Sequence, residues 1–249
     1  MDFGFLFYKR RTMYSGDELM DLFIPGKASH QVSSKYFIDE ATKIGSIKKV
    51  LDLGCGNGDS VDYFRKTDPL IEWTGLDIEH SPEVKSRKRK DAVFVTYDGR
   101  SIPFADESFD LVYCNQVLEH VEKPEELISE SARVLRKGGF LVGSTSHLEP
   151  FHSLSMYNFT PYGFSRMVKP PLRIKEIRPG IDVFTLILAR AMNRIPLFSR
   201  MISVFFENES PYNFAITLLC RIAGRRDKDI NLLKLLFCGH FRFLIQKDT

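Results

Sequence analysis

VLDLGCGNGD, Val50 to Asp59, sets a short apolar run against three glycines at alternate positions, Gly54, Gly56 and Gly58. An apolar run of that length closed by glycines reads as a buried strand entering a tight turn. Glycines at such a turn let a ligand lie against bare backbone.

Outward from this stretch the chain alternates strand and helix. Strands are predicted at 49–53, 72–77, 92–97, 109–115 and 139–146, with helices at 58–67, after Ser81-Pro82, and at 124–136. The last helix has Pro124 in its first turn, Glu125 and Glu126 near its positive end, and Arg133, Arg136 and Lys137 near its negative end, with Gly138-Gly139 as its stop. This rhythm predicts a mostly parallel sheet with helices on both faces, whose ligand sits at the carboxyl ends of the strands. Upstream, Ser15 to Glu18 has capping-box spacing before Leu19, Met20, Leu22 and Phe23, and a second helix runs from about Gln31 to Gly45. Residues 1–45 therefore read as an N-terminal helical lid. After Ser146 come a polar and aromatic segment, a helix at TPYGFSRMV and a strand at 172–178. Apolar helices are predicted at 182–193, 195–206, 210–224 and 229–236, before a closing strand HFRFLIQK at 240–247. The domain plan is 1–45 as lid, 46–179 with 239–249 as the α/β domain, and 180–238 as a helical insertion.

Composition narrows the classes. Of 249 residues, 43% are apolar and 27% charged, enough to bury a core, and a formal charge of +3 is too mild to argue for nucleic acid. The basic run Ser86 to Lys90 and the group Arg221, Arg225, Arg226 and Lys228 lack interleaved aromatics and read as solvated loops. Cys55, Cys114, Cys220 and Cys238 show no zinc-ligand spacing and read as reduced thiols of a cytoplasmic protein, and no metal site is predicted. No window reaches the roughly 18 apolar residues of a membrane span, which leaves peripheral membrane contact open.

Three ligands compete for the glycine turn. An ATP-type loop needs Lys and Ser or Thr straight after its glycines, and Asp59 and Ser60 stand there instead. A dinucleotide loop spaces its glycines G-x-G-x-x-G; here the spacing is G-x-G-x-G, and Asp52 and Asp59 would repel a pyrophosphate. S-adenosylmethionine carries a sulfonium and an ammonium, which a carboxylate favours. Asp77 ends the next strand, where a carboxylate can accept from both ribose hydroxyls, and Asp98 follows the third strand, where it can accept from an adenine amine.

VLDLGCGNG at 50–58, GLDI at 75–78, DGRSIPFADESFDLVYCNQVLEHV at 98–121 and LRKGGFLVGS at 135–144 together resemble class I S-adenosylmethionine-dependent methyltransferases of the small-molecule type. The NQVLEHV stretch is similar to the ubiquinone-biosynthesis O-methyltransferase branch and to methyltransferases of bacterial sugars and lipids. The resemblance implies a Rossmann-like seven-stranded α/β sheet whose last strand runs antiparallel between strands five and six, a place that HFRFLIQK can take. It also implies that Gly54, Cys55 and Gly56 underlie the methionine portion with Asp52 near its ammonium. Asp77 would then hold the ribose, with Ile78 against the adenine and Asp98 and Gly99 at its polar edge. Asn115 and Gln116 would border the methyl, with His120 one turn on. The implied cofactor is S-adenosyl-L-methionine, with S-adenosyl-L-homocysteine as product.

Methyl transfer is an in-line displacement, so a base is needed only where the acceptor must lose a proton. His147, Glu149 and His152, just after the fifth strand, are the candidate catalytic residues. No NPPY-like loop follows the fourth strand, which disfavours nucleic-acid amines as acceptors. The resemblance implies a small-molecule, sugar or lipid-linked acceptor, and the apolar 180–238 segment points to the lipid-linked kind. Two other readings remain: a nonenzymatic methyltransferase-fold subunit, and an NAD(P)-dependent oxidoreductase.

Overall fold

The computed structural model describes residues 23–192 and 204–249. The strands are β1 (Lys49–Leu53), β2 (Glu72–Ile78), β3 (Val93–Tyr97), β4 (Phe109–Asn115), β5 (Leu135–Ser146), β6 (Leu172–Pro179) and β7 (His240–Lys247). Among the described residues the helices are α1 (Tyr36–Ile44), α2 (Ser60–Thr67), α3 (Pro82–Ser86), α4 (Pro124–Val134), α5 (Pro161–Met167), α6 (Val183–Met192), α7 (Pro211–Ile222) and α8 (Asp227–Leu236), with a 3-10 turn at Leu118–His120. One sheet runs β3-β2-β1-β4-β5-β7-β6, parallel through β5, with β7 antiparallel between β5 and β6.

The two-residue period of the strands divides the core into two layers. On one face Val50, Leu111, Tyr113, Phe140, Val142 and Leu244 pack against Phe37, Ile38 and Ala41 of α1 and Val61 and Phe64 of α2. On the other, Leu51, Val112, Leu141, Phe241 and Phe243 meet Leu127 and Ile128 of α4, Phe164 of α5 and Leu235 of α8. Burial on both faces is the mark of a sheet covered by helices on each side. Three helices start where their caps sit: the hydroxyls of Ser81, Thr160 and Ser210 accept from the backbone N–H of Val84, Gly163 and Asn213.

Several sequence-predicted boundaries shift for identifiable reasons. The helix predicted from Gln31 begins at Tyr36, because the backbone around Val32 is taken by the sheet edge: Val32 N–H donates to Pro179 O at 3.2 Å and Val32 O accepts from Arg242 Nε at 2.9 Å. The helix predicted to 136 ends at Val134, and Leu135 to Lys137 already belong to β5, so Gly138, at φ +75°, lies inside the strand rather than stopping a helix. A register shift between Phe109 and Leu111 accommodates it. Most of the helix predicted from the Ser15 capping box falls outside the described residues, as does most of that at 195–206. In 180–238, Leu186 is buried while Phe184, Ile187 and Leu188 stand half exposed.

The strand order changes direction between β1 and β4, so their carboxyl ends open a crevice. Gly143 of β5 lies so close to β4 that a Cβ there would fall 1.7 Å from the Cys114 carbonyl oxygen. Gly143→Ala should therefore lower stability by about 3 kcal/mol or more, read as a fall in the chemical-denaturation midpoint; an unchanged midpoint would show that β4 and β5 separate freely.

Candidate functional site

The turn after β1 is made by glycines because its backbone demands them. Gly54, Gly56 and Gly58 have φ of +70°, +48° and +80°, and a Cβ on Gly54 would meet Val117 Cγ2 at 2.4 Å. Gly56 N–H donates to Asp77 Oδ2 at 2.7 Å, and Ile78 N–H donates to Oδ1 at 2.8 Å. From the other side Arg87 donates through Nε and a terminal nitrogen to Gly56 O, at 2.8 and 2.6 Å, while its guanidinium stacks 3.9 Å over the Phe94 ring. The turn is thus held at its N–H by one charge and at its carbonyl by the opposite one.

These elements wall a cleft of about 650 Å³. Gly54, Gly56, Asp77, Ile78, Tyr97, Asp98 and Gly99 line one end, and Gln116, Val117, His120, His152 and Leu154 the other. Burial pushes the Asp77 carboxyl up, with the Gly56 and Ile78 amides and Arg87 opposing. Asp98 uses Oδ1 to accept from Arg100 and Ser101 N–H at 2.8 and 2.9 Å, and these bonds hold its carboxyl below the usual range.

A smaller chamber of about 300 Å³ adjoins the cleft, with Gln116 and His152 lining both. Ser34, Asn115, Arg190, Phe206, Glu207, His240 and Arg242 complete it. Behind its wall lie two buried carboxylates. Glu119 accepts from Thr145 Oγ1 at 3.0 Å, and Ser146 Oγ stands 3.1 Å from Glu119 and 2.7 Å from Glu149, bridging the pair. Burial pushes Glu119 up to about 7. Glu149 is buried too, but His240 Nε2 at 2.7 Å, Ser146 and Arg190 overcome that penalty and hold it at about 2. Burial lowers His152, against the opposing pull of Glu149 3.4 Å away, so its imidazole is neutral at pH 7.

Residues 51–143 match the family model described as a methyltransferase domain. Over this stretch the chain is similar to methyltransferase domains. A ubiquinone/menaquinone biosynthesis C-methyltransferase of Roseobacter denitrificans is 36% identical over 102 residues, covering 38% of this chain and 41% of that protein. A fatty-acid O-methyltransferase of Mycolicibacterium smegmatis is 33% identical over 98 residues, covering 38% and 36%. The chain matches only 36% to 42% of the length of such relatives. Among solved structures, a putative sarcosine dimethylglycine methyltransferase from Galdieria sulphuraria superposes with a TM-score of 0.57 at 15% identity, over 86% of this chain and 85% of that one. The [4+2]-cyclase SpnF superposes with a TM-score of 0.53 at 17% identity, over 86% and 80%. These two likenesses concern the fold alone.

Within the matched residues, Gly54, Gly56, Asp77, Ile78, Asp98, Gly99, Gln116 and His120 all line the cleft. Other sequence-predicted residues stand elsewhere. Asp52 lines neither chamber: it is buried behind the turn, accepts from Ser60 Oγ at 2.5 Å and is pushed by burial up to about 7, so it offers the cleft no exposed carboxylate. Cys55 points into the core beside Gly75, its thiol pushed by burial up to about 12. Asn115 borders the smaller chamber rather than the cleft. His147 lines neither, its Nδ1 3.0 Å from Phe159 O, and Glu149, at 2% exposure and ringed by donors, is a poor proton acceptor as placed. His152 alone of the three candidate catalytic residues faces both chambers.

Sequence reasoning passed over Arg87, Glu119, Arg190, His240 and Arg242. Arg87 sits in the SRKRK run read as solvated, and its signal was the aromatic Phe94 on the next strand. Glu119, His120 and His152 also bring ligand atoms within 4.8 Å of one another, a group able to hold a metal ion.

Because burial keeps Glu119 protonated up to about 7 against an ordinary 4.5, the folded chain holds an extra proton between those values. Its contribution to stability is fully present below the unfolded pKa and is lost as pH rises through 7. Glu119→Gln stays neutral throughout. Its stability relative to the parent should rise between pH 5 and pH 8 by roughly 3 kcal/mol, read from melting curves; a difference independent of pH would mean Glu119 titrates normally.

Proposed function

We propose that this chain is an S-adenosylmethionine-dependent methyltransferase that methylates a small-molecule, sugar or lipid-linked acceptor at oxygen. The observation that carries the reading is the pair of adjoining chambers that share Gln116 and His152. One carries carboxylate acceptors suited to a nucleoside, and the other, lined mostly by polar side chains, adjoins it through those two residues.

The residues of the larger cleft fit S-adenosylmethionine. The positive-φ glycines leave bare backbone for the methionine tail, and Asp77, which spends one bond per oxygen on the turn, keeps lone pairs for two ribose hydroxyls. Ile78, exposed on the cleft wall, offers an apolar platform, and Asp98 keeps Oδ2 for an exocyclic amine. A volume of about 650 Å³ is in the ordinary range of small-molecule sites. When bound, the sulfonium supplies an activated methyl and a neutral leaving group.

The chain's own work is alignment and proton handling. Gln116, held at φ +57° with Ser144 Oγ 3.1 Å from its amide, presents a fixed edge between the chambers. His152, neutral at pH 7 and facing the same point, can take a proton from an acceptor hydroxyl. Oxygen is favoured because this lining offers polar hydrogen-bonding groups around the junction. On α7 the exposed Phe214, Leu218, Leu219 and Ile222 form a stripe at helical spacing, which supports a lipid-linked acceptor reaching the site from a membrane surface. No helix among the described residues is long and apolar enough to cross a membrane.

The nonenzymatic reading is disfavoured by the open Asp77 and Asp98 end of the cleft, and the oxidoreductase reading by the glycine spacing. Calorimetry decides among them. S-adenosylhomocysteine should bind and NADH should not; the converse would end this proposal. Asp77→Ala should weaken S-adenosylhomocysteine binding by about 100-fold or more, since it removes two charge-assisted bonds. His152→Ala should leave that affinity nearly unchanged and lower turnover by about 100-fold or more; equal loss of binding in both variants would undo the division between donor and acceptor sites. Cosedimentation with phosphatidylglycerol vesicles should fall sharply in Leu219→Glu/Ile222→Glu, and an unchanged bound fraction would remove the lipid surface from the proposal.

A further inference from the structure

The smaller chamber contains a buried cation that no carboxylate among the described residues meets at contact distance. Arg242 lies on β7, is 4% exposed, and lines the chamber. Its Nε donates to Val32 O at 2.9 Å and one terminal nitrogen to Asn115 Oδ1 at 3.3 Å; both acceptors are neutral. Among the described residues no carboxylate stands within 4.0 Å of it, whereas buried Lys234 is paired with Glu209 and buried Arg178 has Glu176 at 3.6 Å. The other terminal nitrogen has no hydrogen-bond partner among the described residues, and the side chain lines the chamber.

The remaining charges of the lining follow a gradient. Arg190 is engaged by Glu149 behind the wall, and His152 and His240 are held neutral by burial. Glu207, exposed and 3.5 Å from Ser34 Oγ, shares this lining and pulls the Arg242 pKa up against burial without reaching contact distance. The deep end of the chamber is thus cationic and the rim anionic. A guanidinium removed from water costs several kcal/mol unless an anion meets it, and its planar fork matches an oxyacid.

We propose that Arg242 is the recognition residue for an anionic oxyacid group, a carboxylate or a phosphate, carried by the methyl acceptor. The inference rests on the reading of the two chambers as donor and acceptor sites. The anionic group seats at Arg242 while the nucleophilic oxygen lies beside Gln116 and His152, so the buried charge both selects the acceptor and orients it. Selection here is against neutral analogues, which would leave the guanidinium desolvated and unpaired.

The test uses the full chain saturated with S-adenosylhomocysteine and three probes that share one tail: octanoate, octyl phosphate and octanol. Calorimetry should show octanoate or octyl phosphate binding at least tenfold more tightly than octanol, and the better anion identifies which oxyacid the chamber takes. Arg242→Gln should bring both anions to the level of octanol while its S-adenosylhomocysteine affinity stays that of the parent. Should Arg242→Gln fail to fold, Ser34→Asp, which sets a carboxylate on the chamber wall without touching β7, should abolish the same preference. Equal affinity for the three probes, or an anion preference that survives these substitutions, overturns the inference. Failure of the parent to bind S-adenosylhomocysteine overturns instead the donor-site reading beneath it, so the two failures are distinct.

Discussion

The hydrogen bond from Gly56 N–H to the Asp77 carboxylate joins the turn after β1 to the end of β2, and the rest of the cleft takes its shape from that tie. A backbone bent through three positive-φ positions is costly to order, because glycine surrenders the most freedom on folding. Asp77 and Arg87 offset that cost from opposite sides, one holding the N–H and the other the carbonyl. Their charges oppose each other across a single peptide-sized element. The same carboxylate that fixes the turn therefore remains available to a ligand, since each oxygen has spent only one bond.

A second system of constraints closes the far side. Residues 25–32 have no regular structure, so their carbonyls need donors from elsewhere. Arg178 donates to Lys27 O and His30 O, Asn231 to Pro25 O and Ala28 O, Lys234 to Ser29 O and Arg242 to Val32 O. Buried cations thus strap this segment across β6, β7 and α8. Their charge is only partly returned by Glu209 and Glu176. The surplus sits at Arg242, and the strap that satisfies the backbone also sets one guanidinium in the lining of the smaller chamber.

This explains which parts of the molecule the sequence could disclose. β1, β4 and β7 stand at 49–53, 109–115 and 240–247, where apolar runs and punctuating glycines put them, because those signals are local. The cleft residues Gly54, Asp77 and Asp98 were legible for the same reason: each follows its own strand. Arg242 was not. In HFRFLIQK it looks like the polar member of an alternating strand, whose polar side in a half-covered sheet would face water. In the fold β7 is covered on both sides, so the alternation separates two buried environments instead of core from water. Asp52 misled in the opposite direction, since its position at a strand end suggested a cleft carboxylate, while its side chain turns back to Ser60.

The fold alone does not select a reaction, for the cyclase SpnF superposes on this chain about as well as a putative methyltransferase does. What distinguishes one reaction from another on this sheet is the chemistry beside the donor. Here the two carboxylates near that point are removed from proton transfer in different ways. Glu149 is held ionised by His240, Ser146 and Arg190, and Glu119 is sealed at 0% exposure. Both instead position the histidines and hydroxyls around them. On the proposed reading, proton handling falls to His152, whose ring reaches both chambers, and charge recognition to Arg242. An acceptor that presents an anion to one and a hydroxyl to the other satisfies both buried groups at once, and a neutral acceptor leaves the more expensive of them unpaired.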